Sequence, residues 1–311
     1  MKIIKSILQK YSFIFFIILT AFLIYKFNLL TIIKKASFFE FLLLVFIGLL
    51  ILLCLTIQFL ITLRLFDKQI NLWDGWVLTS LNSYFNNLFP AKAGTIFKGI
   101  ILKNKFGLKY SRFFSIVFIT NSLLLIINTS IFLLLSAIFD VVHKSAVTFF
   151  AIVLAILIFL ITKFYSKFTV FLPDRFNHKY SFPVIDGMKY FFRGRNTLLS
   201  IALINLLILL LSALRLFFCF SFISNNSNYL LSLYMQVIAS ISFLFSITPS
   251  NFFVREAIII GVGNLFNIDL ATTITAAILD RSASLITIII SSAISTPHFR
   301  KYFSVESVDN N

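Results

Sequence analysis

Long apolar runs follow one another along almost the whole chain, separated only by short polar breaks. Most reach the roughly 20 residues that a helix needs to cross the hydrocarbon core of a bilayer. They lack the alternating pattern of a barrel strand, and backbone groups in lipid must be satisfied within their own segment, so helices are predicted. Full spans are predicted at 11–30, 38–63, 113–139, 146–165, 197–222, 230–248 and 270–294.

The composition is typical of an integral membrane protein. Apolar residues make up 59% of the chain and charged residues only 12%, with a mean hydropathy of +1.00. Soluble domains carry about 25% charged residues. The prediction is therefore an all-α integral membrane protein, a polytopic helical bundle of about seven to eight spans, with one transmembrane domain over 1–311 and no soluble domain.

The net charge of +16 is concentrated in the loops between predicted spans. The loop 91–112 holds six basic residues and no acidic one, and the connection 163–195 is also mainly basic. Such loops are retained in the cytoplasm, which predicts a multi-pass protein of a bacterial plasma membrane with a cytoplasmic N-terminus. Lys26, Lys34 and Lys35 do not fit, because this orientation places them outside. Topology and attraction to anionic lipid explain the charge without a nucleic-acid partner.

Two apolar segments are interrupted and do not read as simple spans. The segment from Ser83 to Gly94 contains an Asn pair, Pro90 and a glycine. In the segment from Ser242 to Glu256, Pro249 is followed by polar residues. Each stands shortly before a long span, which indicates a weak internal repeat. Proline breaks helices, so two broken or re-entrant segments are expected, although two kinked spans would give the same pattern. Whether 75–91 and 252–267 cross or re-enter stays open, and a basic C-terminal end favours an eighth crossing by 252–267.

Several ionisable residues fall at membrane depth or beside the two breaks. Charges there are costly, by roughly 2.5 to 3.5 kcal/mol on insertion scales, and they normally face the bundle interior. The candidate binding residues, including those of the breaks themselves, are Asn87, Pro90, Gly94, Lys98, Arg215, Pro249, Arg255, Glu256, Asp280 and Arg281. Two interpretations stand side by side: these side chains line a polar cavity that grips a phosphate, or they pair with one another and fasten the bundle.

No enzyme signature accompanies these charges. His143, His178 and His298 are scattered in loops, while Cys54 and Cys219 fall inside predicted spans. The sequence contains no nucleophile–base constellation, phosphate-binding glycine loop or dinucleotide fingerprint. No catalytic residue, metal site or cofactor is therefore expected.

The motifs around the breaks resemble those of the lysylphosphatidylglycerol synthase transmembrane region, also called the flippase-like domain family. Asn87-x-x-Pro90-x-x-x-Gly94 with Lys98 is similar to the family's Asn-x-Leu-Pro-x-x-x-Gly-Glu-x-x-Arg segment. Pro249 with Val254-Arg255-Glu256-Ala257 resembles its Pro-Gly-Gly-x-Gly-x-x-Glu stretch, and Arg281 matches an arginine that the family carries in the last long span.

Some positions depart from the family pattern. Thr95 stands where a glutamate is usual, and three glycines of the second motif are replaced by Ser250, Asn251 and Phe253, which puts close backbone approach to a ligand in doubt. Synthases of the family add a soluble aminoacyl-transferase domain, whereas this chain stops at Asn311, so synthase activity is not expected.

The resemblance implies a membrane translocase for a phospholipid or a polyprenyl-phosphate-linked amphiphile, with the headgroup bound at the paired broken helices. Its partners are then membrane lipids with an anionic or lipid-linked headgroup. The alternative is a non-transporting membrane scaffold that docks a separately encoded glycosyl- or aminoacyl-transferase through the basic loops. A third class, an enzyme with an intramembrane active site, has the least support.

Overall fold

A computed structural model describes residues 37–89, 92–139, 195–224, 227–241 and 253–304, with the side chains of 195, 241 and 299–304 left aside. Within these ranges the chain forms helices and no strand. The predicted spans 11–30 and 146–165, together with Pro90 and Pro249, lie outside the described residues. The helices are α1 (Phe38–Arg64), α2 (Leu72–Leu88), α3 (Ala93–Phe106), α4 (Tyr110–Phe139), α5 (Arg195–Ile223), α6 (Tyr229–Ile241), α7 (Val254–Leu265) and α8 (Leu270–Ser304).

Four of these helices, α1, α4, α5 and α8, are long and apolar enough to cross a membrane. They coincide with predicted spans, so the all-α membrane fold is confirmed. Local chemistry sets their ends. At the start of α1, Ser37 Oγ accepts from the Glu40 backbone N–H and the Glu40 carboxylate accepts from the Ser37 N–H. At the start of α8, the N–H and hydroxyl of Thr272 donate to Asp269, which lowers the pKa of that exposed carboxyl.

Helices α2 and α3 form an antiparallel pair, called hairpin 1. Asn86 near the end of α2 contacts Thr95 near the start of α3, while Thr79 further back on α2 contacts Lys98 further along α3. At 1.5 Å per residue, 17 and 14 residues give arms of about 25 and 21 Å, which is less than the roughly 30 Å hydrocarbon core. Hairpin 1 therefore enters the bundle and returns to the end from which it came.

Helices α6 and α7 form a second antiparallel pair, called hairpin 2. Gln236 lies against Arg255 at the start of α7, and Tyr234, two residues nearer the start of α6, packs on Phe266 just after α7 ends. The described arms have 13 and 12 residues, about 20 and 18 Å, so neither is long enough to span alone. The described part of the predicted span 230–248 is thus one arm of a hairpin.

The two hairpins share backbone details at their tips. The residue that precedes α3, Lys92, has a φ of +54°, and the residue that precedes α7, Phe253, has a φ of +70°. Positive φ favours glycine and costs a residue with a side chain of order 1 kcal/mol or more. Phe253 is one of the positions at which the motif that this segment resembles has glycine, and its backbone has a conformation that glycine adopts most easily.

The bases of the hairpins lie at opposite ends of the bundle. Asp74 at the base of hairpin 1 contacts His298 in the C-terminal part of α8, at 2.9 Å. At the base of hairpin 2, Phe266 packs on Phe139, the last residue of α4, whereas α4 begins beside the base of hairpin 1. The units α2–α3–α4 and α6–α7–α8 therefore repeat the same order in inverted orientation, as in many transporters. The end with the base of hairpin 1 is called the basic end, because Lys103 and Lys105 lie there.

Apolar packing and a few buried hydrogen bonds hold the long helices to the hairpins. Hairpin 1 packs with α1 and α4 in one cluster, and hairpin 2 packs with α4, α5 and α8 in a larger one. The Gln58 side-chain amide donates to Asn205 at 2.8 Å, and the Asn128 amide donates to Ser240 at 2.7 Å. In lipid, such contacts between helices stabilise by about 0.6 to 2 kcal/mol each.

Candidate functional site

Three charged side chains from α5, α7 and α8 form a tight buried group, called the ion triad. Asp280 accepts from Arg215 Nε at 2.7 Å through one oxygen and from Arg255 Nη1 at 2.6 Å through the other. The Arg255 guanidinium also donates to Gln236 at 2.9 Å. Asp280 is fully buried and both of its oxygens are bonded. The ion triad is thus a satisfied structural unit that joins hairpin 2 to two long helices, as the fastening interpretation predicts.

A second, looser group lies beside it and is called the tip pair, Arg281 and Glu256. Arg281 Nε is 3.8 Å from a Glu256 oxygen, and Arg281 Nη2 is 3.5 Å from Asn87 Oδ1. Within the described residues, neither Glu256 oxygen has a hydrogen-bond partner. Asn87 stands at the tip of hairpin 1 and Glu256 at the tip of hairpin 2, so Arg281 on α8 connects the two tips.

The helix dipole of α7 and the low dielectric around the tip pair determine which ligands can bind there. Glu256 lies in the first turn of α7, where a carboxylate is stabilised by the positive helix end. The ion triad and the tip pair together hold three arginines and two carboxylates, so one positive charge is in excess. An arginine guanidinium can bind a phosphate bidentately, which a lysine ammonium cannot match.

Lys98 does not join these residues. It is buried between α1, α2 and α3, with Nζ 3.5 Å from Thr79 Oγ1 and 3.3 Å from the centroid of the Phe59 ring. Thr79 lies eight residues before Asn87 on α2, which corresponds to a rise of about 12 Å toward the basic end. The structure therefore separates Lys98 from the tip pair, although the sequence pattern grouped them.

Gly94 and Asn86 build the tip of hairpin 1. A Cβ on Gly94 would lie 2.1 Å from the Asn82 carbonyl oxygen, so only glycine allows α3 to start this close to α2. The Asn86 side-chain oxygen accepts from the Thr95 backbone N–H at 3.3 Å and its amide donates to the Thr95 hydroxyl at 3.5 Å. Asn86 thus caps α3 from the other arm, and one N–H of this helix start is already bonded.

Sequence reasoning missed Gln236, Thr79 and Phe59 as partners of the charged residues, and it missed Asn86 as the cap of α3. Gln236 was visible as an amide inside an apolar segment, and such a group usually has a buried partner. Phe59 gives no signal, because one aromatic among many does not reveal which ring meets a lysine.

A family model described as the lysylphosphatidylglycerol synthase TM region matches residues 9–292, nearly the whole chain. No curated protein matches the chain, and no solved structure does. The match agrees with the family expected from the motifs around Pro90 and Pro249. The chain therefore belongs to the family of the lysylphosphatidylglycerol synthase transmembrane region.

Proposed function

We propose that this protein is a flippase-like translocase, not an enzyme, that moves a phospholipid or a polyprenyl-phosphate-linked amphiphile across a bacterial plasma membrane. The observation that carries the proposal is the position of Arg281, which contacts the tips of both hairpins at 3.5 and 3.8 Å. The headgroup phosphate binds Arg281 between Asn87 and Glu256, while the acyl or prenyl chains stay in lipid.

The inverted hairpins supply a route for the headgroup. In transporters with inverted repeats, the substrate site lies near the midplane and each half gates one side of the membrane. Here hairpin 1 lies between the tip pair and the basic end, and hairpin 2 lies between the tip pair and the opposite end. Movement of one hairpin at a time would open Arg281 to one side and then to the other.

Charge sets the orientation of this route. The basic end carries the exposed lysines Lys103, Lys105 and Lys109, which the positive-inside rule places in the cytoplasm. Hairpin 1 then opens to the cytoplasm and hairpin 2 to the outside, and the N-terminus is cytoplasmic. The same exposed lysines favour the second candidate function, a scaffold that docks a transferase at the cytoplasmic face.

A vesicle assay tests the translocase. The purified protein is reconstituted with a lipid that carries a fluorescent headgroup, and an impermeant quencher reports its transfer between leaflets. Because charge-assisted hydrogen bonds contribute about 1.5–3 kcal/mol each, Arg281→Ala is expected to slow transfer by about tenfold to 150-fold.

Arg64→Ala is the matched control, because Arg64 is exposed in the last turn of α1 and has no part in the proposed site. Its rate should equal that of wild type. Transfer in the Arg281→Ala protein at the wild-type rate would refute the site. A wild-type protein that moves no lipid, but loses a transferase partner when Lys103, Lys105 and Lys109 are neutralised, would support the scaffold instead.

A further inference from the structure

The charges of the ion triad and the tip pair restrict which headgroup the site accepts. Arg215, Arg255 and Arg281 face Asp280 and Glu256, an excess of one positive charge among these five groups. A net charge in a low-dielectric interior is costly unless a counter-charge accompanies it. A ligand with a single negative charge neutralises the group, whereas a neutral zwitterion leaves +1 and a doubly charged anion leaves −1.

The two segments that flank α6 in the sequence add no charge to this count. Residues 242–252, which link α6 to α7, contain no ionisable side chain, and neither does the short loop 224–228. Lys98 is the other buried cation of the described residues, and it contacts Thr79 and Phe59 about 12 Å of helix rise away. Counted over the ion pairs of the described residues, the excess of one charge therefore belongs to these five groups.

Glu256 adds a requirement for hydrogen-bond donors. Its side chain is 13% exposed, and neither oxygen has a hydrogen-bond partner among the described residues. Buried carboxylate oxygens normally accept several hydrogen bonds, and leaving one without a donor is unfavourable. When a phosphate binds Arg281, Glu256 loses its ion-pair partner. Its oxygens then need hydrogen-bond donors from the ligand. Hydroxyl groups supply donors without adding charge, whereas an ammonium group would restore the excess positive charge.

We infer that the site selects a lipid with one phosphodiester charge and an uncharged, hydroxylated headgroup, whose phosphate binds Arg281 and whose hydroxyls donate to Glu256. This inference rests on the proposed translocase function and narrows its substrate class. Two sources share the chemistry: a glycerol headgroup on a phospholipid, and a sugar on a polyprenyl monophosphate. Phosphatidylethanolamine and polyprenyl-diphosphate-linked sugars are disfavoured.

Competition binding tests the inference on the full chain in phosphatidylcholine vesicles. The probes are phosphatidylglycerol, a polyprenyl-monophosphate hexose, phosphatidylethanolamine and a polyprenyl-diphosphate hexose. Since an uncompensated buried charge is strongly unfavourable, at least one of the first two should bind about tenfold more tightly than either of the others. Which of the two binds identifies the source. Equal binding of phosphatidylethanolamine would overturn the inference.

Glu256→Gln provides a second, sharper test. The substitution raises the excess to two positive charges, so the diphosphate-linked hexose should become the tightest ligand. Asp269→Asn is the control, because asparagine is as good a helix cap as aspartate and Asp269 is exposed, and it should leave the ranking unchanged. A Glu256→Gln protein that keeps the wild-type ranking contradicts the inference. If that variant does not fold, the wild-type ranking alone decides.

Different results would refute the headgroup selectivity and the translocase function. A wild-type protein that moves lipids across vesicles without regard to headgroup charge retains the translocase function and loses the selectivity. A wild-type protein that neither binds nor moves any of the four probes removes both.

Discussion

At the scale of single residues, the ionisable groups of this chain divide into a tight set and a loose set. The sequence placed Arg215, Asp280 and Arg281 inside apolar spans, and the membrane cost of charge was enough to predict that they face the interior. The sequence could not predict which arginine pairs with Asp280. Arg215 and Asp280 are 65 residues apart, and their contact depends on the rotation and register of two separate helices. In the structure, both Asp280 oxygens accept from arginines, whereas neither Glu256 oxygen has a hydrogen-bond partner among the described residues.

This division predicts different stabilities for two similar substitutions. Asp280→Asn leaves Arg215 and Arg255 buried without their anion, and removing one partner of a buried ion pair costs about 3–5 kcal/mol. Glu256→Gln breaks only a contact of 3.8 Å and should cost far less. Thermal unfolding of both variants in detergent measures the difference. Equal loss of stability would mean that Glu256 is as structural as Asp280.

At the scale of elements, the long helices follow directly from the apolar pattern, whereas the hairpins follow only in part. Spans predicted at 38–63 and 197–222 agree with α1 and α5 within two residues, because length and hydrophobicity alone define a crossing. The breaks at Pro90 and Pro249 predicted that two segments are interrupted. That each segment turns back depends on contacts between its arms, such as Gly94 against Asn82, and these contacts are not encoded in local propensity.

The close approach in hairpin 1 makes Gly94 far more sensitive than another helical glycine. In Gly94→Ala the new Cβ would lie 2.1 Å from the Asn82 carbonyl oxygen, and the overpacking should cost about 1–3 kcal/mol or more. Gly261→Ala in α7 is the control, since nothing lies within 4 Å of its Cβ and alanine favours a helix by roughly 0.5–1 kcal/mol. Melting temperatures should fall for the first variant and rise slightly for the second; the opposite order would contradict the packing of hairpin 1.

At the scale of the whole molecule, two hairpins enter from opposite ends and meet at one arginine of α8. The weak repeat around the two prolines indicated two related halves, and the order α2–α3–α4 and α6–α7–α8 agrees with that prediction. Their inverted orientation was beyond the sequence pattern, because it depends on which end of the bundle each hairpin base occupies. The contacts Asp74–His298 and Phe139–Phe266 define those ends.

Photocrosslinking from the lipid headgroup is the most direct test of whether the tips of both hairpins line one lipid-binding site. A phospholipid with a photoactivatable group on its headgroup is reconstituted with the full chain, irradiated, and the attachment points are mapped by mass spectrometry. Crosslinks are expected on both tips, around Asn87 and around Glu256, and they should be lost in Arg281→Ala but not in Arg64→Ala. Crosslinks confined to the lysines of the basic end, unchanged by Arg281→Ala, would contradict this expectation.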